Sequence, residues 1–191
     1  MRSFLLAIVA AGLFAAAPSH ATVYTFTANL SGAAENPPNA SPGSGQATVI
    51  FDDAAHSMEV MIIFADLLGP TTASHLHCCV DPNGNAGVAT TLPTFTGFPL
   101  GVTSGSYDHI FDLTDSSSFN PTFVAANGGT LADAEVALLA GLLAGQAYID
   151  MHTTVFPGGE IRGFLTTVPL PAAFWLFASG AAFLLRRRRA A

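Results

Sequence analysis

The chain has 191 residues, half of them apolar and only 10% charged, which is a low charge content for a soluble domain and leaves room for one domain of ordinary size plus specialised ends. There is no lysine, and five of the six basic residues (Arg2 and Arg186, Arg187, Arg188 and Arg189) lie at the ends, so the centre sets Arg162 alone against all 13 acidic residues, a net charge of −12. Such a surface repels phosphate backbones, which argues against a nucleic-acid partner and favours solubility and cations.

Residues 1–21 combine a charged start, an apolar run from Phe4 to Ala17 and the small-residue exit Pro18-Ser19-His20-Ala21. They read as a secretory signal cleaved after Ala21. Export places the two cysteines, Cys78 and Cys79, in an oxidising space where free thiols are not the default.

Residues 23–30 alternate, with Tyr24, Phe26, Ala28 and Leu30 on one face, as expected of a half-buried strand. A loop rich in Pro, Gly, Ser and Asn follows to Gly45. Strands over 46–51 and 58–64, joined through Asp52 to Ser57, suggest a hairpin with His56 in an exposed turn.

The stretch Ser74-His75-Leu76-His77-Cys78-Cys79 comes next. In an extended backbone His75, His77 and Cys79 project to one side and Leu76, Cys78 and Val80 to the other. Imidazoles so placed suit copper, zinc, iron and nickel, and a thiolate on the same face biases the choice toward copper or zinc. The same alternation also describes a polar, solvated strand face without a metal. For the cysteines, a vicinal disulfide, an intermolecular disulfide and metal ligation by Cys79 all stay open.

Residues 86–96 are Thr-rich and interrupted by Pro93, so they read as an edge strand or irregular. A strand over 106–113 puts Tyr107, His109, Phe111 and Leu113 on the apolar face, which makes His109 a packed histidine. Thr130 as N-cap with Asp133 three residues on opens the single expected helix, which runs to Leu143 and stops at Gly145. Strands over 146–152 and 161–165 finish the domain, with Tyr148, Asp150 and His152 sharing a face and Glu160 and Arg162 spaced for an ion pair. Seven or eight short strands with frequent turns point to a mainly β, antiparallel β-sandwich over residues 22–167 with one inserted helix.

Residues 168–191 end the chain. From Val168 to Leu185 they are apolar, 18 residues or roughly 27 Å of helix, which just spans a ~30 Å hydrocarbon core. Four arginines then hold the C-terminus on the cytoplasmic side, with the domain outside. Val168, Pro169, Leu170, Pro171 and Ala172, the apolar helix and the arginine cluster resemble the VPLPA type of PEP-CTERM sorting tails of exported Gram-negative bacterial proteins. The resemblance implies recognition and cleavage near the motif by an exosortase, an inner-membrane anchor before processing, and a cell-surface or extracellular product afterwards.

The order Leu-Ser-Gly-Ala-x-Glu-x-Pro-Pro from Leu30, His-Leu-His from His75, Leu-Leu-Ala-Gly from Leu142, Ala-Tyr-Ile-Asp-Met-His-Thr from Ala147 and Pro-Gly-Gly-Glu-Ile-Arg-Gly from Pro157 resembles the CHRD domain. That implies an immunoglobulin-like β-sandwich distantly akin to copper/zinc superoxide dismutase. Carried over residue by residue, the dismutase copper ligands match His75, His77 and His152. No histidine follows between His77 and His109 to bridge to zinc, and Cys78-Cys79 stands where family members carry Gly-Pro. Glu35 is placed to bond the histidine cluster or loop N–H groups, and Arg162 does not fit the spacing of the dismutase arginine. Three readings follow: an exported surface or matrix module that binds copper or zinc and envelope components without catalysis, a mononuclear copper redox enzyme, and an adhesion domain with no metal.

Overall fold

The structure is a computed structural model that describes residues 22–82 and 84–168. The expected signal segment and all of the expected sorting tail except Val168 lie outside the described residues. Eight strands form one antiparallel sheet: β1 Val23–Ser31, β2 Ser44–Asp52, β3 Ser57–Ala65, β4 Thr71–His77, β5 Gly105–Asp112, β6 Tyr148–Thr153, β7 Ile161–Phe164 and β8 Thr166–Thr167. Their spatial order is β4-β6-β7-β1-β2-β3-β5, with β8 beside β1. The expected two-sheet sandwich is therefore a single sheet curled into a half-barrel.

Two halves of the sheet obey different rules. In β1, β2 and β3 every second residue is buried: Phe26, Ala28 and Leu30, then Ala47, Val49 and Phe51, then Met58, Val60, Ile62 and Phe64. One face fills the concave core and the other meets solvent. β4, β6 and β7 are buried almost without interruption. Leu76, Ile149, Met151 and Ile161 enter the hydrophobic core, while the polar residues between them lie on the opposite face beneath loops.

Helix α2 (Leu131–Leu143) covers the core with Ala134, Leu138, Gly141 and Leu142. Its N-terminus is built as expected: the Asp133 N–H donates to Thr130 Oγ1, and the Thr130 hydroxyl donates to the Asp133 carboxylate at 2.6 Å. Gly145, at φ +68°, ends it where the spacing predicts. A shorter helix, α1 (Pro121–Ala126), precedes it, capped by Asn120 with Pro121 in the first turn. This second helix corrects the expectation of one, since six residues are too few to show an apolar period. His56 lies at φ 50° in the β2–β3 turn, and its Nδ1 meets Glu135 of α2 at 2.9 Å, tying the turn to the helix. The span over 86–96 is irregular apart from isolated bridges at Val88 and Thr90, as Pro93 suggests. No helix among the described residues is long and apolar enough to cross a membrane.

Gly163 sets the distance between β7 and β1, because a Cβ there would strike the carbonyl oxygen of Asn29 and crowd Leu30 Cδ2 at 3.1 Å. Backbone cannot yield as a side chain can. Gly163→Ala should cost about 1–3 kcal/mol by overpacking and lower the thermal midpoint by several degrees. Gly87→Ala, with nothing within 4 Å, should leave it unchanged in the same unfolding experiment.

Candidate metal centre

Strand pairing assembles the polar face of β4, β6 and β7. His75 pairs with Asp150, which pairs with Arg162, which pairs with Ser31 of β1. One step along, His77 pairs with Tyr148 and Tyr148 with Phe164, while Ala73 sits opposite His152. Directly opposed residues share a face, so residues about seventy-five positions apart in the chain become neighbours.

His75, His77 and His152 converge, with one candidate ligand nitrogen on each and all three nitrogens within 4.8 Å of one another. Every ring is fixed through its other nitrogen by a loop carbonyl. His75 Nε2 lies 2.6 Å from Pro93 O, His77 Nδ1 lies 2.9 Å from Ala86 O, and His152 Nδ1 lies 3.0 Å from Pro157 O. A carbonyl only accepts, so those nitrogens carry the protons and donate. The lone pairs of the neutral rings therefore sit on His75 Nδ1, His77 Nε2 and His152 Nε2. Two of these, His75 Nδ1 and His77 Nε2, are buried without a hydrogen-bond partner.

Burial also favours the neutral form of His75 and His77. Desolvation lowers His75 below the ordinary histidine range and is the largest influence on His77, which is pushed down to about 4 with the neighbouring histidines and Arg162 adding to the effect. His77 stacks on Tyr148 at 4.8 Å between centroids and 6° between planes. On Tyr148 in turn lies the Arg162 guanidinium, 4.9 Å from the ring centre. The result is three fixed imidazoles offering lone pairs into one small volume.

Beside them stands a carboxyl pair. Glu35 and Asp150 stand side by side, with Glu35 Oε1 and Asp150 Oδ1 buried without a partner, and burial raises both above the carboxylate range, with the neighbouring acid adding to the rise at Glu35 and Arg162 opposing it at both. The pair holds a proton, which leaves one negative charge facing Arg162, whose Nε is 4.0 Å from Glu35 Oε2. Asp150 Oδ2 also lies 3.9 Å from His152 Nε2. Gly159, at φ +129°, is needed here because a Cβ would sit 2.7 Å from Asp150 Oδ1 and 2.8 Å from Glu35 Oε2. A cleft of about 460 Å³, lined by Glu35, Pro37, Asn85, Phe156, Pro157 and Gly159, opens over this side of the cluster.

The remaining expected residues separate. Arg162 is 2% exposed and donates from Nε to Ala34 O and from Nη1 to Gly84 O at 3.0 Å and Asn85 Oδ1 at 2.8 Å. Glu160 accepts from Ser41 Oγ, Thr153 Oγ1 and the backbone N–H groups of Leu68 and Gly69. Desolvation pushes Glu160 upward, but these four bonds outweigh it and hold it below the usual range. The expected Glu160–Arg162 ion pair is thus corrected: each spends its polar atoms on a different set of loops. Cys79 lies outside the histidine cluster, bonded to Cys78 in a vicinal disulfide against α2. The alternation that placed it beside His77 stops where β4 stops. Asp150, Tyr148 and Gly159 were absent from the expected site, although the shared face of residues 148, 150 and 152 carried the signal for the first two.

The apparent pKa of His77 lies below its unfolded value of 6.5. Between about pH 4 and 6.5 the unfolded chain therefore binds the proton the fold refuses, so this contribution to stability is full above 6.5 and lost as pH falls. His77→Gln removes it. The stability difference between the metal-free wild type and this variant should shift against the wild type on acidification through that window, by on the order of 1–3 kcal/mol, in urea unfolding at stepped pH.

A protein-family model described as CHRD domain matches residues 26–165. Neither the comparison with curated proteins nor that with solved structures finds a match. The match covers most of the chain and contains every residue of the cluster, so the protein belongs to the CHRD domain family.

Proposed function

We propose that the protein is an exported, non-catalytic binding module of the cell envelope or matrix that holds one divalent transition metal, copper or zinc, on His75, His77 and His152. Membership in the CHRD family supports the binding-module reading. The observation that carries the metal is the pair of buried, partnerless ring nitrogens facing one another while the opposite nitrogens are held by carbonyls. An unpaired buried polar atom is costly, and metal-binding histidines characteristically donate their other N–H to a carbonyl or carboxylate. Three imidazoles suit copper and zinc, leaving a fourth position for water or a partner's side chain. The metal would supply a Lewis-acidic point of attachment; the chain's own part is to orient the three rings and to exclude water.

Export rests on residues 1–21 and 168–191. In this reading the signal segment delivers the domain, the apolar C-terminal stretch anchors it in the inner membrane, and an exosortase releases it near the Val168 to Ala172 motif.

Metal analysis of the protein purified without an affinity tag should find about one equivalent of copper or zinc, lost in His77→Ala and in His152→Ala variants that keep the wild-type circular dichroism. A wild-type protein that stays metal-free after incubation with either ion overturns the assignment. Superoxide consumption by the copper-loaded protein would replace the non-catalytic reading with the redox one. For the tail, fractionation of cells lacking the processing enzyme should find full-length protein in the membrane, and free solubility there would count against the sorting signal.

A further inference from the structure

The Cys78–Cys79 disulfide runs from the edge of the core, where Cys78 is buried, to the surface at Cys79, and takes no part in the metal ligands. It joins the residue directly after His77 to the next one, at the point where β4 ends. Cys78 is buried and Cys79 exposed. The bridged dipeptide is pinned on both sides, since the Cys78 N–H donates to Gly87 O at 3.2 Å and the Val80 N–H to Gln146 O at 3.0 Å. Beneath it is Gly141 of α2, where even a Cβ would collide with both sulfurs. Ala137 O of the same helix lies 3.9 Å from Cys79 Sγ.

We propose that this disulfide is a thiol–disulfide exchange site for a dithiol reductant, and that its redox state sets the position of His77; the part of the inference concerning metal rests on the reading of the three histidines given above. A thiolate of the reductant attacks Sγ of the exposed Cys79. The Cys78–Cys79 bond breaks and Cys78 leaves as a thiolate that takes up a proton. The second thiol of the reductant then displaces the mixed disulfide, so the protein gains two electrons and two protons and the reductant departs as its own disulfide.

The consequence follows from space. Two unbonded sulfurs need van der Waals separation, about 3.5 Å or more. They cannot spread toward α2, because Gly141 leaves no room there. A reduced Cys79 keeps Ala137 O as an acceptor for its S–H, so the displacement falls on Cys78. Its N–H is bonded to Gly87 O, and Gly87 directly follows Ala86, whose carbonyl fixes the His77 ring. Reduction therefore shifts the Ala86–Gly87 segment relative to β4, and His77 Nε2 leaves its place in the cluster.

The test treats the metal-free protein with dithiothreitol and reads three quantities. Alkylation followed by mass spectrometry should show both cysteines modified while the circular dichroism stays native. The imidazole ¹⁵N resonances of His77 should shift on reduction, while those of His109 on β5 should not. In a Cys78→Ser/Cys79→Ser variant the zinc Kd should weaken about tenfold or more, and His77 should resonate as in the reduced wild type. Alkylation only after unfolding, or alkylation with unmoved His77 resonances, overturns the proposal. If neither redox state binds zinc but His77 shifts, the metal reading fails and the coupling of the disulfide to His77 stands.

Discussion

Arg162 is a guanidinium with almost no access to water, and a buried cation is tolerated only when its charge and all its donors are answered. The answers come from two loops and two strands. Ala34, Gly84 and Asn85 accept its hydrogen bonds, the Glu35–Asp150 pair supplies the negative charge, and Tyr148 and Phe164 cover its face. Because those loops must close over Arg162, they also cover the histidines, and Ala86, two residues beyond Gly84, is the carbonyl that orients His77. The polar face of β4, β6 and β7 is thus a second interior, built around one charge as the first is built around apolar area.

This arrangement explains why the carboxyl pair keeps its proton. Two buried carboxyls side by side do not both ionise readily away from water, and one guanidinium balances one negative charge. His75 and His77 beside them are held neutral for the same reason, desolvation. A divalent ion placed among the three rings would meet lone pairs rather than protons, and the residual negative charge of the pair would favour it. The strongly acidic composition attracts cations to the domain as a whole.

Much of the fold was legible because strand alternation is local. Phe26, Ala28 and Leu30 declare their face from spacing alone, and the Thr130–Asp133 cap marks the start of α2 to the residue. The burial of β4, β6 and β7 on both faces was not legible, because His75, Asp150 and Arg162 are residue types that ordinarily mark a solvated face. Their environment depends on loops contributed from residues 32–39, 84–93 and 157–159. The same is true of Glu160 and Arg162, whose spacing suggests a pair that competing partners dissolve.

By itself the sequence determined that His75 and His77 face the same way, since side chains two apart in an extended chain must. It also determined the family, because the ordered motifs span the domain. Only the tertiary structure decided that β6 lies against β4, which brings His152 to them, since strand pairing is settled by the whole core and not by neighbours in the chain. Only it decided which nitrogen of each ring faces inward, because the carbonyls of Ala86, Pro93 and Pro157 come from distant turns. It likewise turned Cys79 away from the histidines and onto α2, where Gly141 leaves the one gap that two bonded sulfurs can fill.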